Sequence, residues 1–169
     1  MIVTQATQNV IIELIGECFK LNRILDRQVS LLGVKFVYSN TAKLCHHYIA
    51  HYFPFLADEL GEKALERYNI PVTYPATPAG MQDYSSAEEL IHDMEEKIID
   101  FQTKFMGACK AAFENNDIHV YTDLLDLLED VNEVVEQVIL LADKIDKYNG
   151  SMSYDSHVDK FWILGNGED

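Results

Sequence analysis

Four stretches of the sequence repeat apolar residues at steps of three and four, a periodicity that restricts the chain to a bundle of long helices. The first predicted helix carries Ile11, Leu14, Cys18, Leu21, Leu25 and Leu32. The second, third and fourth predicted helices cover about residues 38–68, 86–115 and 121–149. Each stretch gathers its apolar residues on one side, which is typical of helices that pack around a shared core. We therefore predict an all-α chain with a four-helix bundle in residues 1–150.

Local signals mark the helix ends. Ser86 precedes Glu89 by three residues, which is a capping box at the start of the third helix. Gly33 and Gly150 follow the first and fourth helices and are predicted to end them. Pro54 lies inside the second helix, where it removes one backbone donor, so we expect it to kink that helix or divide it in two.

The connection between the second and third predicted helices determines the topology. Residues 69–85 contain three of the four prolines, whereas an up-and-down bundle needs only a few residues at such a joint. Helices of about 29 residues are about 44 Å long. An extended segment as long as residues 69–85 reaches about 56–61 Å, enough to return along the whole bundle. We predict a long crossover that starts the third helix parallel to the second, and a tail, residues 151–169, that packs on the bundle or on a neighbouring subunit.

The charge balance limits the classes of partner. The chain has 13 Lys and Arg residues against 28 Asp and Glu residues, which gives a net charge of −15. A surface with this charge repels phosphate backbones, so we expect no direct binding of nucleic acid by the folded body. The same charge suits the binding of cations or of a basic protein partner.

Cysteine use and hydropathy indicate the compartment. Cys18, Cys45 and Cys109 are widely spaced among apolar residues, which is typical of reduced thiols in a core and not of disulfides or a CxxC metal site. No stretch approaches the roughly 18 uninterrupted apolar residues of a membrane span. The N-terminus lacks the charged and apolar regions of a signal peptide. We therefore predict a cytoplasmic protein without membrane contact.

Several short motifs resemble the ferritin-like superfamily, and most of all the DNA-starvation miniferritins (Dps). The segment Asp58-Glu-Leu-Gly-Glu62 is similar to that family's Asp-x-x-x-Glu pair of iron ligands. Ser85-Ser-Ala-Glu-Glu-Leu-Ile resembles the start of its third helix, and Tyr121-Thr-Asp-Leu-Leu resembles the opening of its fourth. The resemblance implies a ferritin-like four-helix subunit with one long crossover. It also implies a homo-oligomer, usually a hollow dodecamer, that oxidises ferrous iron and stores it.

The metal sites of these families are only partly present. Miniferritins take further iron ligands from histidines of the first helix or the start of the second. Here the first helix has no histidine, and Lys43 occupies the approximate position of the histidine at the start of the second. Larger ferritins and bacterioferritins use Glu-x-x-His on the fourth helix, where this chain reads Asn132-Glu-Val-Val135. The resemblance therefore implies a degenerate metal site, and the apolar seam of the fourth helix predicts a dry bundle interior.

One face of the second predicted helix carries four potential metal ligands. At about 100° per residue, His47, His51, Asp58 and Glu62 (the ligand stripe) fall within an arc of about 60° on the side away from the apolar residues. Imidazoles and carboxylates suit iron, manganese or zinc. The histidines and the carboxylates are about 12–16 Å apart along the helix, so one ion needs an antiparallel partner helix to meet both. The resemblance to the miniferritins then implies an iron site at a two-fold interface, where the partner chain completes the ligand stripe.

Two interpretations of the function remain open. In the first, the chain is a divergent, oligomeric, miniferritin-type protein that binds iron, with or without ferroxidase activity. In the second, it is a non-catalytic acidic helical module that binds a basic protein partner, as an inhibitor or a nucleic-acid mimic. The ligand stripe is then a solvated face with a chance pair of histidines. The sequence has no Gly-rich phosphate loop and no convergent nucleophile and base, so it predicts no other catalytic class.

Overall fold

The computed structural model of the protein describes residues 2–165, and residues 1 and 166–169 lie outside the described part. Between residues 2 and 165 the chain contains helices and no β-strand, which confirms the all-α prediction. The α-helices are α1 (Gln5–Val34), α2 (Ser39–Leu44), α3 (Tyr52–Ala64), α4 (Ala87–Glu114), α5 (Ile118–Lys147) and α6 (Met152–His157). A π-helical turn, the π turn (Cys45–Ala50), joins α2 to α3, and 3-10 turns follow α3 (Glu66–Tyr68) and α6 (Val158–Phe161).

Four rods form the bundle: α1, the α2–α3 rod with its π turn, α4 and α5. α1 packs against α3 and α4, and α5 packs against α4 and α3. The consecutive rods α3 and α4 are therefore diagonal to each other, which confirms the predicted bundle with its long crossover. The interior is apolar, and its largest completely buried side chains include Ile11, Ile15, Leu25, Phe53, Leu60, Leu90 and Phe105. Within the described residues, no helix combines the length and the apolarity that crossing a membrane requires.

The crossover (residues 69–85) runs along the outer side of α1 towards the C-terminal end of that helix. Pro75 lies against Gly16, in the first half of α1. Near the other end, the ammonium group of Lys35 donates to the carbonyl oxygen of Tyr84 at 2.6 Å. α4 therefore begins beside the end of α1 and runs antiparallel to it. Because α3 is also antiparallel to α1, α3 and α4 are parallel, as the length of the crossover predicts.

Two of the three predicted helix ends are confirmed. The Ser86 hydroxyl accepts a hydrogen bond from the N–H of Glu89 at 3.1 Å, which caps α4. Gly150, with a φ of 64°, follows α5 in the left-handed conformation that glycine adopts at low cost. The prediction at Gly33 is wrong, because the backbone hydrogen-bond ladder of α1 continues past it. The left-handed position after α1 falls instead on Val37, whose φ is 60°.

Residues 151–165 pack against the bundle beside the π turn. The buried carboxylate of Asp155 accepts hydrogen bonds from the N–H of Thr41 at 2.7 Å and from its hydroxyl at 2.8 Å, in the first turn of α2. The ring of Trp162 lies 5.9 Å from the ring of Tyr48 in the π turn. This segment therefore holds both α2 and the π turn in place.

Candidate metal-binding surface

All four side chains of the ligand stripe are exposed along the α2–α3 rod. His47 belongs to the π turn, His51 links that turn to α3, and the two acidic residues, Asp58 and Glu62, lie on α3. Their neighbour Glu59 pairs with a lysine one turn later at 2.5 Å, but no ion pair within residues 2–165 involves Asp58 or Glu62. The two carboxylates are therefore open to a cation from solution.

The π turn changes the register of the histidines. The N–H of His51 donates to the carbonyl oxygen of His46 at 3.2 Å, a step of five residues where an α-helix takes four. The His46 and His51 rings consequently lie in contact, with their centroids 4.1 Å apart. The ring of His47 packs instead on the ring of Tyr48, at 4.5 Å. The sequence analysis paired His47 with His51 on a uniform α-helix, whereas the chain pairs His46 with His51.

Pro54 and Asn22 explain why the π turn forms at this point. Proline has no N–H, so a regular helix through Pro54 leaves the carbonyl of Ala50, four residues earlier, without its donor. The side-chain amide of Asn22 on α1 donates to that carbonyl at 2.9 Å, inside the protein. Ala50 ends the π turn, and Pro54 falls in the first turn of α3, where helix N–H groups have no helical partner in any case. The second helix is thus interrupted as Pro54 predicts.

A metal site is formed neither by the three cysteine thiols nor by residues 132–135 of α5, which stand where larger ferritins have Glu-x-x-His. Burial raises the pKa of Cys45 to about 12 and that of Cys109 to about 11, and it also raises the pKa of Cys18. All three are free thiols that stay protonated at neutral pH, which makes them weak metal ligands. On α5, Asn132 accepts a hydrogen bond from Gln102 at 2.8 Å at the surface. Neither group brings a charged ligand into the interior.

Tyr52, the first residue of α3, places a hydroxyl group in the protein interior. Its oxygen is buried and has no hydrogen-bond partner within residues 2–165. Burial raises the pKa of Tyr52, and the negative charge of Asp130 raises it further. The phenol is therefore protonated at neutral pH and does not act as an anionic ligand there.

A separate histidine–acid pair joins α4 to α5. The Nε2 atom of His92 lies 2.7 Å from the carboxylate of Asp146, and its Nδ1 atom lies 3.6 Å from Glu95. The hydrogen bond to Asp146 raises the pKa of His92, and Glu95 adds to the shift. Both ring nitrogens already face a carboxylate of the same chain, so this pair serves as an ion pair between helices.

Between residues 2 and 165, no three His, Cys, Asp or Glu side chains converge closely enough to hold a metal ion. The described chain therefore offers ligands in pairs, His46 with His51 and Asp58 with Glu62, both exposed on the α2–α3 rod. The sequence analysis missed His46. Its place in the pair could have been inferred from Pro54 in the second helix together with Asn22, a polar residue among the mostly apolar buried positions of the first helix.

Comparisons with known proteins identify the fold. No protein-family model matches the sequence, and no curated protein matches it. Among solved structures, the chain is similar to a variant of the ferritin PmFTN soaked in iron for 5 min, with a TM-score of 0.79, 15% identity, and coverage of 90% of this chain and 99% of that one. The same variant soaked overnight gives 0.78, 15%, 89% and 98%. The chain therefore has the ferritin-like four-helix bundle fold.

Proposed function

We propose that this protein is an oligomeric, ferritin-like protein of the miniferritin type that binds iron at the ligand stripe. The observation that carries the proposal is the pair Asp58 and Glu62, exposed one turn apart on α3 without an ion pair of their own in the described chain. Like charges at this spacing repel each other, and a bound cation removes that repulsion. The similarity to a ferritin whose crystals were soaked in iron supports iron as the cation.

A second copy of the chain would complete the site. The described residues do not bring three ligands together within one chain. An antiparallel copy of the α2–α3 rod, packed about a two-fold axis, places the histidine end of one rod beside the carboxylate end of the other. His47 and His51 of one chain then face Asp58 and Glu62 of its partner, and the same contacts repeat on the other side of the axis. The iron-binding site and the dimer interface are the same surface in this arrangement.

The overall charge favours this function. A net charge of −15 raises the local concentration of divalent cations around the whole molecule. The exposed position of the ligand stripe lets ferrous iron reach it directly from solution. Iron is here the cargo of the protein, and the stripe is the place where it first binds.

Ferrous-iron binding tests the proposal together with native mass. We expect wild-type protein to bind iron and to elute as an oligomer, up to a cage of about twelve subunits. The double variant Asp58→Asn, Glu62→Gln should bind iron more weakly, with circular dichroism unchanged because both side chains are exposed. A matched control is Asp126→Asn, Glu129→Gln, which makes the same chemical changes at two exposed positions of α5.

Two outcomes contradict the proposal. Iron binding that is equal in wild type and in the Asp58 and Glu62 double variant shows that the stripe is not the site. An equal loss in the α5 control shows that only total charge matters. A monomeric protein with either of these results supports the other interpretation, an acidic module that binds a basic protein partner.

A further inference from the structure

We propose that His46 and His51 form a chelating site for a borderline divalent transition metal. The site binds Cu²⁺ most tightly, and Zn²⁺ and Ni²⁺ less tightly. The π turn creates this site, because it brings into contact two imidazoles that five residues separate in the sequence. The inference goes beyond the proposed iron function. It needs one chain only, and it pairs His51 of the ligand stripe with His46, which lies outside the stripe.

The backbone fixes the pair. The hydrogen bond from the N–H of His51 to the carbonyl of His46 closes one wide helical turn, so the two side chains leave the rod one above the other. That turn is held from the inside, where Asn22 donates to the carbonyl of Ala50, its last residue. Both histidine side chains are exposed on the outside. The two rings therefore lie side by side on the surface, and the buried hydrogen bond from Asn22 fixes the backbone beneath them.

The ring geometry is close to that of a chelate. Metal–nitrogen bonds of about 2.0–2.1 Å place the centres of two adjacent imidazole ligands about 4.5–5 Å apart. The centroids of His46 and His51 are 4.1 Å apart and their planes are inclined by 60°. A small rotation of either exposed side chain therefore opens the pair enough to admit an ion. Water molecules can fill its remaining coordination positions, because the pair faces solvent.

The ligand chemistry selects the metal. Neutral imidazole suits copper, nickel and zinc, and the affinity of a nitrogen site for divalent ions rises from Fe²⁺ to Cu²⁺. Two imidazoles without a carboxylate therefore favour Cu²⁺ strongly over Fe²⁺, whereas the oxygen ligands Asp58 and Glu62 suit iron. The negative charge of the chain attracts either cation without discriminating between them.

His47 provides a matched control one residue away. It lies in the same π turn and is exposed like its neighbour, but its ring packs on Tyr48 at 4.5 Å and not on another histidine. A metal that binds to isolated surface histidines depends on His47 as much as on His46. A metal that needs the chelating pair depends on His46 and His51 alone.

Titration of the full, untagged chain with Cu²⁺ tests the inference, with calorimetry for affinity and electron paramagnetic resonance for the number of coordinated nitrogens. We expect His46→Ala and His51→Ala each to weaken binding at least about tenfold and to remove one nitrogen from the spectrum, since even residues that only orient a ligand contribute about 10–100-fold to affinity. His47→Ala should retain wild-type Cu²⁺ affinity, because His47 belongs to the proposed iron site and not to the chelating pair. Equal losses in His46→Ala and His47→Ala, or full affinity in His46→Ala, would overturn the proposal.

The copper and iron proposals can fail separately. His46→Ala changes only the chelating pair, so it should weaken Cu²⁺ binding and leave iron binding intact. The variant Asp58→Asn, Glu62→Gln changes only the carboxylates, so it should weaken iron binding and leave Cu²⁺ binding intact. If the carboxylate variant also loses Cu²⁺ affinity tenfold, the copper ion needs Asp58 or Glu62 and the two-imidazole site is wrong.

Discussion

The side-chain amide of Asn22 on α1 donates a hydrogen bond to the backbone carbonyl of Ala50 across 2.9 Å of the protein interior. Asn22 is only 8% exposed and lies among the mostly apolar buried residues of α1. A buried carbonyl without a partner costs about 1–3 kcal/mol. This one contact therefore stabilises the interruption of the α2–α3 rod, and with it the positions of His46, His47 and His51 in and beside the π turn.

The Asn22 contact predicts an energetic coupling with Pro54. Asn22→Ala should lower the free energy of unfolding by about 1–3 kcal/mol, because it leaves the Ala50 carbonyl unsatisfied. In a Pro54→Ala background the same change should cost less, since the N–H returned at that position can donate to the same carbonyl. Urea denaturation of the four proteins measures the coupling. An equal cost in both backgrounds would show that the proline and the amide act independently.

Asp155 should be important for the stability of α2. Its carboxylate accepts two hydrogen bonds from Thr41, so Asp155→Ala removes the acceptor for the first turn of that helix. We expect a loss of about 1.5–3 kcal/mol in the free energy of unfolding, together with faster proteolysis of the 151–165 segment. Asp159→Ala is the control, because it removes an exposed carboxylate of the same segment. A comparable loss in the control would attribute the effect to charge alone.

Tyr84 should anchor the end of the crossover. Its hydroxyl donates to Asp93 at 2.6 Å and accepts from the buried amide of Gln28 at 2.9 Å, which connects the crossover to α4 and α1. Tyr84→Phe should therefore destabilise the protein by about 1–3 kcal/mol. The same substitution at Tyr74, which is 58% exposed in the same crossover, should have little effect. Thermal denaturation compares the two variants, and equal shifts in melting temperature would contradict the assignment.

The pair of His92 and Asp146 predicts a specific pH dependence. The hydrogen bond to Asp146 raises the pKa of His92 in the folded protein above its unfolded value of about 6.5. The contribution of the protonated histidine to stability is therefore full below pH of about 6.5, and it is lost as the pH rises through the folded pKa. His92→Gln should thus destabilise the protein slightly at pH 5.5 and not at pH 9. A stability difference that grows with pH would contradict this sign.

The bundle and its crossover are encoded locally, so they were predictable. Apolar residues at steps of three and four identify the rods, and the proline-rich length of residues 69–85 excludes a short joint. The end of α1 was misplaced at Gly33 because a glycine is tolerated inside a helix when the hydrogen-bond ladder continues past it. Nothing in the sequence requires Val37, a β-branched residue, to adopt a φ of 60°.

The candidate site was predictable only in part. The carboxylates Asp58 and Glu62 lie on a regular helix, so their spacing alone gives their common, exposed face. The histidines lie in the π turn, whose geometry depends on Asn22, more than twenty residues away on another helix. Helical periodicity carries no information about such a distant hydrogen bond. It therefore selected His47 as the partner of His51 in place of His46.

The path of the crossover gives the molecule one closed side. Pro75 rests on Gly16, and Gly80 lies so close to the carbonyl of Arg23 that any side chain in its place would collide with it. At these two points the crossover lies directly on α1. On this side a helix of a neighbouring molecule would meet the crossover before it reached α1. In the proposed oligomer, contacts between whole helices would therefore fall on the α2–α3 rod or on the α4–α5 pair, and a single chain already determines which of its sides remain open to a partner.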